Sequence, residues 1–257
     1  MNTKKIRVVM LCGNRQSSRI MYNGLASHVD IVNIIVEDKP SAKIMIQRRM
    51  AKLGAAKTVG QLFFLVVNRL LEKLSTGRIT QLISAYGLNE DNFPTATTIR
   101  VATVNSAEVI ALLKEIQPDA VVVNGTRIIA NNVLTCIAAP FINTHNGITP
   151  KYRGTHGGYW ALANSDADNC GVTLHLVDPG IDTGGVLYQA TIQVNKQDNL
   201  NTYPIHQIAK AIPLMIATLD DIKENRLTIK QGVFPSQLWH HPTLLEYIQN
   251  WRHKGVK

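Results

Sequence analysis

The stretch Ile6-Arg7-Val8-Val9-Met10-Leu11-Cys12-Gly13-Asn14-Arg15-Gln16-Ser17-Ser18 opens with an apolar run and breaks at a glycine. Residues 6–12 read as a buried strand, Gly13-Asn14 as a turn, and Gln16 to Ala26 as a helix. Residues 31–36, Ile-Val-Asn-Ile-Ile-Val, supply a second strand. Strand, turn, helix and strand in that order make a right-handed βαβ unit, the building block of a parallel sheet. The turn lies at a helix N-terminus, where free backbone N–H groups favour an anion. No G-x-G-x-x-G is present, so a dinucleotide fingerprint is not supported. Gly13, Asn14, Arg15 and Ser17 are candidates for contact with an anionic substrate. The alternative is an ordinary βα turn whose serines only cap the helix.

At 257 residues the chain is long enough for one large domain, and 45% hydrophobic content fits a globular protein. Cys12, Cys136 and Cys170 lie far apart with no C-x-x-C pairing, which argues against a zinc site or a disulfide framework. A reducing, cytoplasmic setting is the simplest expectation. The start, MNTKK, places lysines before an apolar run as a signal peptide does. That run is only about seven residues, contains Arg7, and lacks a small-residue cleavage site, so it reads as a first strand. No stretch reaches the roughly 18 apolar residues of a membrane span.

The net charge of +9 is unevenly placed: Lys43 to Arg78 carries eight Lys/Arg against one acid, Glu72, and so +7 of the total. Apolar repeats at Ile46, Met50, Leu53, Leu62, Leu65, Val66, Leu70 and Leu74 predict two or three helices across 41–88, with breaks at Gly54 and Gly60. The run Leu62–Val67 reads as core. The favoured reading of the charge is a solvated basic face on helices packed against the domain. Lining a phosphate site, contacting an acidic membrane surface or joining subunits in a homo-oligomer stay open. Nucleic acid is not expected as a partner, because aromatics are not interleaved with the charges and Phe63 and Phe64 read as buried.

After Pro94, Asn105-Ser106 predicts a helix cap and a helix through Ile116, and residues 119–124 a strand. A helix near 129–138, a strand at 140–144, a helix near 159–163, strands at 171–177 and 186–193, and a helix at 203–223 follow. Residues around Trp239 read as a short hairpin and tail. In a strand ending near residue 144, Asn143 and His145 are two apart and share a side. The turn built on Pro179, Gly180 and Gly184 carries Asp178 and Asp182. An amide, an imidazole and a carboxylate are the parts needed for carbonyl chemistry. His175 reads as a satisfied strand residue. His240 and His241 are adjacent on an extended chain, face opposite sides and lack a third ligand, so no metal is expected. Arg153 and His156 either meet a substrate or pin their loop.

Asn143-x-His145 followed by Ile148-Thr149-Pro150-Lys151-Tyr152-Arg153-Gly154, then Val177-Asp178-Pro179-Gly180-Ile181-Asp182-Thr183-Gly184, resembles the folate-dependent formyltransferases. The resemblance covers roughly residues 1–200 and is strong from about 119 to 192. It implies an α/β fold, an open, mostly parallel Rossmann-like sheet, with a helical insertion and a short C-terminal extension. Residues 1–200 would be the catalytic domain, with the basic insertion at about 41–88, and residues 201–257 a helix and tail packed on it.

The resemblance further implies Asn143, His145 and Asp182 as the catalytic set and 10-formyltetrahydrofolate as co-substrate, without a metal. Arg127, Ile128 and Ile129 would hold the pterin end, with Val177, Asp178 and Ile181 on the opposite wall. Asn143 and a protonated His145 would stabilise the oxyanion, and Asp182 would keep His145 charged and relay a proton. The acceptor would be a small-molecule primary amine, for which Gly13, Asn14, Arg15, Ser17, Arg153 and His156 are the candidate contacts. The extra basic segment favours a phosphate-bearing, nucleotide-linked amino sugar. Glycinamide ribonucleotide is the alternative, although Gly13-Asn14-Arg15 replaces that subfamily's Gly-Asn-Gly. Methionyl-tRNA is disfavoured, because little chain follows residue 195 to form that subfamily's C-terminal barrel. A non-catalytic folate- or nucleic-acid-binding module is a further alternative, against which the intact Asn143, His145 and Asp182 argue.

Overall fold

The structure, a computed structural model, describes residues 5–257; the MNTK start lies outside the described residues. Arg7–Gly13 forms β1, Gln16–Leu25 α1 and Asp30–Glu37 β2. The basic segment forms Ala42–Leu53 (α2) and Ala55–Ala85 (α3). Thr98–Val101 (β3), Ala107–Ile116 (α4) and Ala120–Asn124 (β4) follow. Asn131–Leu134 (α5), Phe141–His145 (β5), Arg153–Gly154 (β6) and Gly157–Ala163 (α6) carry the chain past the first motif. Gly171–Leu176 (β7), Val186–Thr191 (β8), Tyr203–Lys223 (α7), Leu238–Trp239 (β9) and Leu244–Lys254 (α8) complete it.

Seven strands make one sheet in the order β3-β2-β1-β4-β5-β7-β8. The first five are mutually parallel, and β7 and β8 join antiparallel. The fold is therefore the mostly parallel α/β sheet that the sequence predicts. Val8 to Leu11 of β1 and Ala120 to Val122 of β4 are wholly buried, as expected for strands covered on both faces. One face packs on α1 and α7, through Ile20, Met21, Leu25, Ala211 and Met215. The other packs on α4 through Val109 and Leu113. The strand order reverses between β1 and β4, so the loops after them diverge at their C-terminal ends. That is where ligands enter open α/β sheets.

Several local readings differ from the structure. Gly60 does not end a helix: α3 runs through it, and a Cβ there would come within 2.9 Å of Thr243 Cγ2. The glycine makes room for the C-terminal segment. The helix expected at 129–138 is one turn, because Ala130 N–H is taken by Asn105 Oδ1 at 2.7 Å instead. Residues near Trp239 form no hairpin; β9 pairs in parallel with β6, and α8 follows behind a Thr243–Glu246 capping box. Phe64 is core, but Phe63 and Val66 of the same run are exposed. A third cluster, Phe64, Tyr159, Trp160, Tyr203 and Tyr247, ties α3, α6, α7 and α8 together.

Candidate active site

Four side chains meet where β5 and β7 run out into loops. Asn143 and His175 sit opposite each other in the antiparallel ladder, with Asn143 Nδ2 3.1 Å from His175 Nε2. Asp182 reaches in from the loop after β7. Its Oδ1 lies 3.5 Å from both Asn143 Nδ2 and His175 Nε2, and its Oδ2 lies 3.2 Å from His145 Nδ1. Gly154 N–H donates to the same Oδ2 at 2.9 Å. Asp182 has φ +50, the left-handed region that non-glycine residues occupy only when their surroundings hold them there.

The hydrogen bonds assign the protons. His175 Nδ1 faces the Leu176 carbonyl at 2.7 Å and donates to it, which leaves Nε2, 3.1 Å from Asn143 Nδ2, to accept from the amide. This fixes which way the amide points and leaves its second N–H directed toward Asp182. Both nitrogens of His145 face acceptors, the Tyr152 carbonyl at 2.7 Å and the Asp182 carboxylate. Burial pulls the His145 imidazolium below its ordinary value, while Asp182 and the Tyr152 carbonyl draw it back. Burial alone would raise the Asp182 carboxyl; His145 and the Gly154 N–H act against it, and the carboxyl sits below its ordinary value. His145 Nδ1 and Asp182 Oδ2 lie 3.2 Å apart, within reach of a shared proton. With Nε2 committed to Tyr152, His145 has no spare N–H for an oxyanion in this arrangement.

These groups line the floor of a cavity of about 270 Å³. Arg127, Ile128 and Ile129 form one wall, and Val177, Asp178 and Ile181 the other. Ile128 is exposed, whereas Ile129 is mostly sunk into the core beneath. The Arg127 guanidinium turns away: Nε pairs with buried Glu37 at 2.6 Å, and the same carboxylate accepts the Arg127 and Val104 backbone N–H groups. Arg127 therefore offers backbone to the cavity and anchors the loop with its side chain. Asp178 accepts from Thr183 Oγ1 at 2.7 Å and closes the turn.

Residues 70–212 match the family model described as formyl transferase, more than half of the chain. The chain belongs to the formyl transferase family. Methionyl-tRNA formyltransferase of Thermodesulfovibrio yellowstonii is 34% identical over 122 residues, covering 47% of this chain and 39% of the relative. That of Synechocystis sp. is 33% identical over 154 residues, covering 58% and 46%. The chain thus spans less than half the length of these curated relatives. A sugar N-formyltransferase from Shewanella sp. superposes with a TM-score of 0.59 at 15% identity, over 96% of this chain and 87% of that one. Glycinamide ribonucleotide transformylase 1 from Symbiobacterium toebii gives 0.56 at 17%, over 88% and 91%. At such identities the structures establish a shared fold.

The family match begins within α3, so β1, α1, β2 and α2 lie outside it, and with them the turn at Gly13. Gly13 packs so closely that a Cβ would come within 2.8 Å of Gly125 O. Asn14 and Ser17 line neither the central cavity nor the pocket beside it. Arg15 lies close enough to depress the ionisation of His156 and His241. Arg153 donates to Ile181 O at 2.9 Å and pins the loop that carries Asp182. His156, at φ +59, pairs through Nε2 with His241 Nδ1 at 2.9 Å. The residue that sequence reasoning misses in this family member is His175. Its signal is positional: seven residues ahead of Asp182, on an apolar strand that ends at the Asp-bearing turn.

A second pocket of about 240 Å³ shares Gly154 and Ile181 with the first. Arg48, Arg49 and Lys52 of α2 line it together with His240 and His241. Among the described residues none of these three cations has a carboxylate within 4.0 Å; the ion pairs lie elsewhere.

Proposed function

We propose that this chain transfers a formyl group from 10-formyltetrahydrofolate to the primary amine of a small phosphate-bearing acceptor, a nucleotide-linked amino sugar. The observation that carries the reading is the single hydrogen-bonded cluster of Asn143, His175, Asp182 and His145 on the floor of the cavity. The walls suit a flat heteroaromatic ring: Ile128, Val177 and Ile181 are apolar, and the buried Thr144 Oγ1 on the lining has no partner in the protein. The folate supplies the formyl carbon.

The protein supplies orientation and charge. Asn143, held through one N–H by His175, turns its other N–H, which makes only a 3.5 Å contact with Asp182, to the formyl oxygen as negative charge builds there. Asp182, ionised and beside the same spot, takes the proton released by the attacking amine. It passes that proton on to the folate nitrogen as the bond between that nitrogen and the formyl carbon breaks. His145 holds that carboxylate in its strained backbone position and balances its charge. The cations of the second pocket, which shares with the first Gly154, the N–H donor to Asp182, favour an acceptor that carries phosphate.

Steady-state turnover with nucleotide-linked amino sugars, glycinamide ribonucleotide and their dephosphorylated counterparts tests this reading. Phosphate-bearing amines are expected to turn over, and Arg49→Ala to raise their KM about 10–100-fold while leaving the folate KM alone. Equal use of the dephosphorylated amines would contradict the phosphate assignment.

A further inference from the structure

Helix α3 docks through a mixed inward side: Phe64 and Leu82 enter the core, and polar side chains bond to the domain. Gln61 donates to the His241 carbonyl at 2.6 Å, Asn68 and Asn201 pair side chain to side chain, Ser75 meets Asn199, and Arg78 pairs with Asp198 at 2.9 Å. Its outward side carries Val59, Phe63, Val66, Leu70 and Leu74. At about 100° per residue these five fall within an arc of about 80°. Phe63 is 60% exposed, Leu70 62% and Leu74 82%. A helix on a globular domain ordinarily turns such a stripe toward the core, and a contiguous outward stripe marks an interaction surface. Helix α2 also exposes Ile44, Met45 and Met50.

Charge selects the occupant. The stripe lies in the segment that holds +7 of the chain's +9, and Arg69 and Lys73 are exposed beside it. Arg78 is paired with Asp198, and Arg48, Arg49 and Lys52 line the second pocket. A second copy would still set Arg69 and Lys73 against like charge, whereas an anionic lipid headgroup layer brings the opposite sign. No helix among the described residues is long and apolar enough to cross a membrane, so the geometry suits a helix that lies on the surface.

We infer that α2 and α3 form a docking face for an anionic lipid bilayer, the apolar stripe entering the headgroup boundary and the flanking cations meeting the headgroups. This goes beyond the formyl transfer reading and does not depend on it. The test is co-sedimentation of the full chain with phosphatidylglycerol-rich vesicles and with pure phosphatidylcholine vesicles, alongside light scattering in solution.

The wild type should sediment with the anionic vesicles at least about tenfold more strongly than with the neutral ones. The double variant Phe63→Glu, Leu70→Glu should stay in the supernatant with an unchanged circular dichroism spectrum, since both side chains face solvent. Arg69→Gln with Lys73→Gln, which leaves the stripe intact, should weaken binding to the anionic vesicles severalfold. Failure of the wild type to sediment with anionic vesicles, or equal binding by the charge variant, would overturn the proposal. So would a solution mass of twice the chain that falls to one chain in Phe63→Glu, Leu70→Glu, since the stripe would then be a seam between copies.

Discussion

Asn143 and His175 face each other across the β5–β7 ladder, amide nitrogen to imidazole Nε2 at 3.1 Å. Because His175 spends its own proton on the Leu176 carbonyl, it can only accept from Asn143, and so dictates how the amide is turned. Replacing His175 with Ala frees the amide to rotate. The expected outcome is a fall in kcat of up to about 100-fold with the folate KM little changed, the signature of misplacement at the reacting atoms. A loss confined to KM would assign His175 to substrate binding instead.

Arg127 and Glu37 hold the cavity's apolar wall in place. Glu37 is buried and satisfied by the guanidinium and by two backbone N–H groups. Arg127→Ala leaves that carboxylate without its cation, and should lower unfolding free energy by about 3–5 kcal/mol in urea titrations. Glu37→Gln in the same background should recover part of the loss, because it removes the unpaired charge.

His156 and His241 make stability pH-dependent. Burial is the main reason both sit below the ordinary imidazolium value, with Arg15 and Arg49 adding to it; His241 is pushed down to about 4. The unfolded chain takes up these protons near pH 6.5 and the folded chain only at lower pH, so stability rises with pH between those limits. The contribution is complete above about pH 6.5 and is lost as pH falls toward 4, at up to about 1.4 kcal/mol per pH unit for each group. His241→Gln should flatten that slope when urea midpoints are compared at about pH 5 and about pH 7.5. An unchanged slope would show that His241 is not a group responsible.

Gly154 joins the two pockets. Its φ is +92, its N–H holds Asp182, and a Cβ would overlap the Trp239 carbonyl oxygen. Gly154→Ala should therefore break the β6–β9 pairing, lower stability by more than about 1 kcal/mol, and depress activity together with it.

The strands were the legible part of the sequence. Residues 6–12, 31–36 and 119–124 are mostly apolar runs, broken only by Arg7 and Asn33 and by Asp119 and Asn124 at the ends of the third, which is how parallel strands buried on both faces read. Ser106 announced α4, and its Oγ accepts from Val109 N–H. Asn143, His145 and Asp182 stood out because glycine-marked turns follow or flank them. What stayed hidden depends on contacts between distant segments. Gly60 reads as a breaker until Thr243 is seen against it, and His175 reads as filler until the β5–β7 register sets it opposite Asn143. Helix α3 misleads for the opposite reason: its apolar residues give a helical period but not the direction in which the stripe faces.

The most direct test of the central claim is absorbance-monitored release of tetrahydrofolate from 10-formyltetrahydrofolate, wild type against Asn143→Ala, across the panel of amines. Acceptor-dependent release that falls about 100- to 1,000-fold in the variant, the loss expected for one oxyanion donor, is the predicted result. Release that is unaffected by the substitution, or no release and no folate binding by the wild type, would contradict the account.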